Sequence, residues 1–167
     1  MENFYGTALQ GGNNPALGAI SKITPAGAIT LVHSFDGTHG FGPYAPLMQA
    51  SDGNFYGTTH NGGQYNDGVV FEVSPAGVFT DLHDFDPSQD GGGPLSALVQ
   101  GTNGVLYGTT ISGGAFNAGT IYSIPLGGGS LNALYSFDGT SAAAAEAALT
   151  QHTKRIFLWG HRMGWQR

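Results

Sequence analysis

Apolar and polar side chains roughly alternate along Phe79-Thr80-Asp81-Leu82-His83-Asp84-Phe85. A period of two predicts a strand with one buried face. Three more short runs come before it: Ala45 to Ala50, Asn54 to Thr58 and Val69 to Val73. Asp52-Gly53 separates the first two, and Pro75-Ala76-Gly77 leads from the third into Phe79. Glycine readily takes the positive φ that such turns need. Residues 45–85 are therefore expected to form four short antiparallel strands.

The same pattern then returns. Asn3-Phe4-Tyr5-Gly6-Thr7-Ala8, Asn54-Phe55-Tyr56-Gly57-Thr58-Thr59 and Val105-Leu106-Tyr107-Gly108-Thr109-Thr110 stand 51 residues apart. Gly11-Gly12, Gly62-Gly63 and Gly113-Gly114 keep that step, and Phe35-Asp36, Phe85-Asp86 and Phe137-Asp138 keep it within one residue. A period of this size marks a tandem array whose units bury their apolar faces on one another. Four antiparallel strands in about 50 residues predict an all-β fold built of β-propeller blades. A β-solenoid is the competing architecture, but its repeats are usually shorter and lack hairpin turns.

The chain opens on the second strand of a unit, at residues 3–8, and its last repeat-like run, Glu146 to Gln151, matches a first strand. This divides residues 1–151 into three repeats, about 3–53, 54–104 and 105–151. Three blades are too few to close a ring, since propellers begin at about four. Each end is the missing part of the other's blade, and unpaired strand edges invite a partner chain. A homodimer closing one six-bladed ring is the expected assembly.

Glycine makes up 29 of the 167 residues and charged residues only 10%, which favours short strands and tight turns over helices. A formal charge of −6 argues against a nucleic-acid or anionic-membrane surface. Without cysteine there is no disulfide, thiol nucleophile or zinc-thiolate site. No apolar run is long enough to span a bilayer, and Met1-Glu2-Asn3 does not open a signal peptide. The Gly-, Thr- and Asn-rich, Lys-poor composition suits a bacterial extracellular or cell-surface protein.

The order His33 to Asp36, Pro43, Leu47, Asp52 to Thr59, Gly62-Gly63 and Asn66 to Gly68 resembles the GloVer (Gloeo/Verruco) tandem repeat, over residues 3–151. The resemblance implies a bacterial, surface-associated repeat protein and carries no general activity with it.

Residues 152–167 differ in character. All eleven acids and one base, Lys22, lie before residue 154, whereas Lys154, Arg155, Arg162, Arg167 and both tryptophans follow. A C-terminal amphipathic helix is one explanation. The genetic code offers another. Tryptophan has a single codon, so Trp159-Gly160 read one nucleotide later gives glycine at 159, where the period from Gly108 requires it. Trp165-Gln166 likewise gives glycine at 165, matching Gly114. The segment is expected to be an out-of-frame tail.

In a propeller the fourth-to-first and second-to-third connections share one face. Here they are the long polar loops 36–43, 86–94, 60–68 and 111–119, and sites favour loops on a rigid scaffold. Asp36, Asp86 and Asp138 recur where the first loop class starts, and carboxylates with carbonyls are what calcium takes. Asp before Gly or Pro also bonds its own backbone in turns. Tyr65, Asn66 and Asp67, then Phe116 and Asn117, place an aromatic beside an amide in successive copies, as stacking on a sugar requires; an Asn-x-Gly turn explains the amides equally. His60 is the acid/base candidate, with no nucleophile beside it in sequence. His33 and His83 share a strand position with Tyr135, which points to packing. No Gly-x-Ser-x-Gly elbow and no phosphate loop is present.

Two functions follow. One is a binding propeller presenting repeated loops to a carbohydrate or other small ligand, with calcium as a candidate ion. The alternative is a calcium-dependent hydrolase of lactones or small esters, in which a cation polarises a carbonyl.

Overall fold

The computed structural model describes residues 3–14, 16–140, 145–152 and 155–158. They are all β, with no helix among them. Strands β1 (Phe4–Ala8), β2 (Ala19–Ile23) and β3 (Ile29–Ser34) form a three-stranded blade. Next come β4 (Met48–Gln49), β5 (Phe55–Thr59), β6 (Val69–Val73) and β7 (Phe79–Asp84) in the order 4-5-6-7. The third blade repeats this with β8 (Val99–Gln100), β9 (Leu106–Thr109), β10 (Thr120–Ile124) and β11 (Asn132–Ser136). Every pairing is antiparallel. Alanine and glutamate favour helix, yet of the alanine-rich stretch 142–148 the described residues, Ala145 to Ala148, are not helical.

The inner strands β4 and β8 have two residues each, shorter than the runs the alternation predicts. The last expected inner strand, β12 (Leu149–His152), is not alone. It pairs with β13 (Arg155–Leu158), so the described part of the expected tail carries backbone ladder bonds.

Each blade bears a β-bulge at one place between its third and fourth strands. Val32, Leu82 and Leu134 are the extra residues. A bulge turns the strand so that neighbouring side chains reach the same sheet face. Val32 and Leu82 thereby pack under the following blade.

Two apolar clusters hold the blades together. Ile20 and Phe35 of the first blade meet Val69, Phe71 and Val73 of the second. Tyr56, Val70 and Phe85 of the second meet Leu98, Leu106, Tyr122 and Ile124 of the third. Complete burial of one such side chain contributes about 1.5–3 kcal/mol. The Tyr-Gly-Thr glycine makes this packing fit. A Cβ on Gly57 would lie 2.5 Å from Phe71 Cζ, and one on Gly108 would lie 2.5 Å from Tyr122 Cζ. Hydrogen bonds between blades add to it: Thr7 Oγ1 donates to the Ala45 carbonyl at 3.0 Å and Thr109 Oγ1 to that of Ala145 at 2.9 Å.

Candidate functional site: the interlocked loop end

The loops that follow β3 and β7 each clasp the second-to-third loop of the next blade. Phe41 N donates to the Asn61 carbonyl at 2.8 Å, Asn61 N returns a bond to Phe41 at 3.1 Å, and Gly63 N reaches Gly37 O at 3.1 Å. One blade on, Gly92 N donates to Ser112 O at 3.0 Å and Gly114 N to Pro87 O at 3.3 Å. The repeated Gly-Gly pair is required by this approach. A Cβ on Gly62 would stand 2.5 Å from Gly37 O, and one on Gly113 2.6 Å from Pro87 O. The result is one end of the molecule on which polar loops are fixed by backbone bonds.

Asp36, Asp86 and Asp138 each serve their own loop. Asp36 accepts His39 N at 2.9 Å and lies 3.0 Å from His39 Nδ1, and the His39 amide holds its carboxyl below the usual range. Asp86 accepts the Ser88 hydroxyl at 2.6 Å and the Ser88 amide at 2.9 Å, and that hydroxyl is the main cause of its lowered pKa. Asp138 accepts Thr140 N at 2.9 Å. The structure does not bring the three together. Among the described residues no group of three or more His, Asp or Glu side chains is placed to hold a metal ion.

The second-to-third loops present a clearer pattern. Asn66 and Asn117 have φ of 62° and 53°, in the left-handed region that asparagine tolerates better than most residues. The Asn117 side-chain oxygen also accepts Gly113 N at 3.0 Å. These amides shape the turns, and the aromatic before each is left outside: Tyr65 is 46% exposed and Phe116 65%. Asp67 faces the next connection instead. Its carbonyl accepts Gly93 N at 2.8 Å, and a Cβ on Gly92 would lie 2.8 Å from its carboxylate.

His60 sits between two connections. Its amide donates to Gly42 O at 3.0 Å, and a Cβ on Gly93 would lie 2.8 Å from its Cε1. Tyr44 meets the ring edge-on, with centroids 5.5 Å apart at 89°. The imidazole Nδ1 is buried with no hydrogen-bond partner among the described residues. Leu9 and Ile111 hold the corresponding positions, so His60 and Tyr44 depart from the repeat as a pair. Comparing the copies would have exposed Tyr44, which stands where the next blade has Leu95. Sequence reasoning also missed the partner of His83: its Nε2 lies 2.7 Å from Asp90, which accepts Asp86 N at 2.9 Å through its other oxygen.

The sequence profile of the Gloeobacter/Verrucomicrobia repeat matches residues 1–163. The chain belongs to that repeat family. The match covers the three blades and extends over part of the basic segment that follows them. The search of curated proteins gives no match. Among solved structures, this Gloeobacter/Verrucomicrobia repeat chain is similar to selenomethionine-substituted virginiamycin B lyase from Staphylococcus aureus, with a TM-score of 0.60 and 15% identity. The similarity covers 86% of this chain and 42% of that one, so the chain spans less than half of that structure. At this identity the likeness establishes the propeller-like fold alone. No helix among the described residues is long and apolar enough to cross a membrane.

Proposed function

We propose that the chain is a binding module, on the cell surface or outside the cell, whose loop end takes a carbohydrate or another small polar ligand. The observation that carries this is the pairing of exposed Tyr65 and Phe116 at equivalent places in successive blades. Each is fixed by the left-handed asparagine after it and by backbone bonds of its loop. An exposed aromatic whose backbone is already ordered loses little entropy on stacking against a sugar. In the same reading two copies close one six-bladed ring, which sets these loops around a common mouth.

A glycan array with the full chain tests the proposal. Retention of a glycan that Tyr65→Ala and Phe116→Ala each weaken by at least about tenfold supports it, a loss of roughly 1.4 kcal/mol per contact. No retained glycan, or retention indifferent to both variants, overturns it. A calcium titration belongs beside the array. A calcium-dependent rise in melting temperature that Asp36→Ala and Asp86→Ala remove would assign an ion to these loops; no response leaves them as turn acceptors.

A second reading rests on His60 and Tyr44, which break the repeat where a catalytic centre would need asymmetry. As a hydrolase of lactones or small esters, the chain would turn over chromogenic esters and lactones, and His60→Ala would abolish the turnover. Absence of turnover with and without chelator removes this reading.

A further inference from the structure

We infer that Asn103, in the turn between β8 and β9, is a site of spontaneous deamidation, and that its aspartate product takes over the hydrogen bonds that Asp52 makes one blade earlier. This turn lies at the opposite end of the blades from the polar loops, so the modification does not depend on any ligand there.

Two Asn-Gly pairs occur in the chain, Asn61-Gly62 and Asn103-Gly104. A glycine after asparagine lets its amide nitrogen come close to the side-chain carbonyl, because it carries no Cβ to block the approach. The fold treats the two pairs differently. Asn61 is held at both its backbone groups: its amide donates to Phe41 O at 3.1 Å and its carbonyl accepts Phe41 N at 2.8 Å. Thr59 Oγ1 donates to the same carbonyl at 3.1 Å. Gly62 is closed in as well, since a Cβ there would stand 2.5 Å from Gly37 O and 2.7 Å from Gly40 Cα. Bringing Gly62 N against the Asn61 side chain would rotate a peptide that these contacts fix.

Asn103 is exposed at a hairpin tip. Gly104 has φ of 80°, and a Cβ there would meet no atom within 4 Å. Gly104 N donates to Gly101 O at 2.9 Å, and Gly101 N to Val105 O at 2.8 Å. The first of these bonds must open before Gly104 N can turn to Asn103. Exposed turn tips open at the low end of the range of local stabilities.

The chemistry balances with water alone. Gly104 N gives up its proton and attacks Asn103 Cγ; the new N–Cγ bond forms, the Cγ–Nδ2 bond breaks, and ammonia leaves carrying that proton. The product is a five-membered succinimide. Water adding at Cγ breaks the new bond and leaves aspartate. Water adding at the Asn103 main-chain carbonyl breaks the original peptide bond and leaves isoaspartate. Nothing is oxidised or reduced.

The second blade shows what the aspartate product would do. Asp52 stands one period of 51 before Asn103. Its turn has the same backbone bonds, Gly53 N to Ala50 O at 3.0 Å and Ala50 N to Asn54 O at 2.9 Å. One Asp52 oxygen accepts Asn54 N at 3.0 Å, and the other accepts the Tyr56 hydroxyl at 2.7 Å. Asn103 makes the first bond, from Val105 N at 3.2 Å, but reverses the second: its Nδ2 donates to the Tyr107 hydroxyl at 2.8 Å. Aspartate at 103 needs only a rotation of the Tyr107 O–H to copy Asp52, and the neutral bond becomes a charge-assisted one. Isoaspartate lengthens the main chain by a methylene inside the turn. That strains the adjoining pair Gln100–Leu106, whose leucine is fully buried.

The test incubates the full chain, folded and in urea, over a pH series. Mass spectrometry of digests follows residues 61 and 103 separately, and isoaspartyl methyltransferase counts the isomerised product. In the folded chain Asn103 should convert at least about tenfold faster than Asn61, and faster as hydroxide rises. In urea the two should convert at similar rates. No conversion at 103 overturns the site, and equal rates in the folded chain overturn the selectivity. Asn103→Gln would have to close a six-membered ring and should suppress the acidic form; an acidic form that still appears at the parent's rate overturns the assignment. Asn103→Asp should melt no lower than the parent, and the isoaspartyl fraction should melt lower. A destabilised Asn103→Asp overturns the copied bonds.

Discussion

The His33 ring of β3 lies flat on the Phe79 ring of β7, with centroids 3.8 Å apart and planes 6° from parallel. This contact fixes how one blade sits on the next, because both residues belong to fourth strands. Ile29 is the counterpart of Phe79 on the first blade, and Tyr135 that of His33 on the third; both are exposed. The positions that join blades are thus apolar or aromatic even where no neighbour covers them. Phe79→Ala should lower stability by about 2 kcal/mol, less than the about 3–5 kcal/mol of a fully buried ring. Ile29→Ala should change the dilute monomer by under about 0.5 kcal/mol. Urea melts of the two variants at one low protein concentration check the contrast.

Thr110, directly after β9, is a buried hydrogen-bond junction of the third blade. Its Oγ1 accepts Thr120 N at 2.9 Å, lies 3.0 Å from Thr120 Oγ1 and donates to Ser112 O at 3.1 Å. Thr59 makes the matching bonds to Val69 N and Asn61 O in the second blade. Thr110→Val keeps the shape and strands these buried partners, which costs about 1–3 kcal/mol. The melting temperature should fall by about 2 to 8 °C. A shift under 1 °C would show that the junction is dispensable, as it is in the first blade, where Ala8 is exposed.

The strands and the blade count were legible because turn glycines, Asn-x-Gly and the Tyr-Gly-Thr run recur at one step and demand one backbone each time. The bulge at Val32, Leu82 and Leu134 was not, since an extra residue leaves the alternation approximately intact while changing which side chains share a face. The turn role of Asp36, Asp86 and Asp138 was legible from the residues after them. Recurrence alone could not say whether they converge, because equivalent positions in successive blades need not approach one another. His60 with Tyr44, and the Asp90 that meets His83, are departures from the repeat, where the period gives no guidance.

Tyr122 tests whether the repeat has room for improvement. It is fully buried in the place Phe71 holds one blade earlier, and its hydroxyl finds no hydrogen-bond partner among the described residues. Burial pushes its pKa far up. Tyr122→Phe removes an unpaired hydroxyl and restores the residue type of the second blade. The variant should be equal to the parent or more stable by about 1 kcal/mol in a urea melt. A loss above 1 kcal/mol would mean that the hydroxyl is bonded.

Two titrations of opposite sign should shape the acid side of the stability curve. Burial lowers the pKa of His33, with Asp36 opposing and His39 reinforcing, and its Nε2 has no partner among the described residues. Above about pH 6.5 the ring is neutral in both states and contributes nothing to the pH dependence. As pH falls through that value the unfolded chain takes up the proton first, so stability falls. Asp81 acts in reverse. Burial, then the charge of Asp84, raise its carboxyl to about 6 from the model-compound 3.8, against smaller pulls from His39 and His83. Between about pH 4 and 6 the folded protein holds the extra proton, so stability falls as pH rises and the penalty is complete above about 6. Because Asp81 is only half-buried, solvent reduces that penalty to about 1 kcal/mol. Asp81→Asn should raise the melting temperature at pH 7.5 by about 2–4 °C and leave it unchanged at pH 4. His33→Tyr, the residue type of the third blade, should leave pH 7.5 unchanged and flatten the fall below pH 6.5. Melting curves at pH 4, 5.5 and 7.5 separate the two; a gain for Asp81→Asn at pH 4 equal to that at pH 7.5 would place its effect in packing instead of charge.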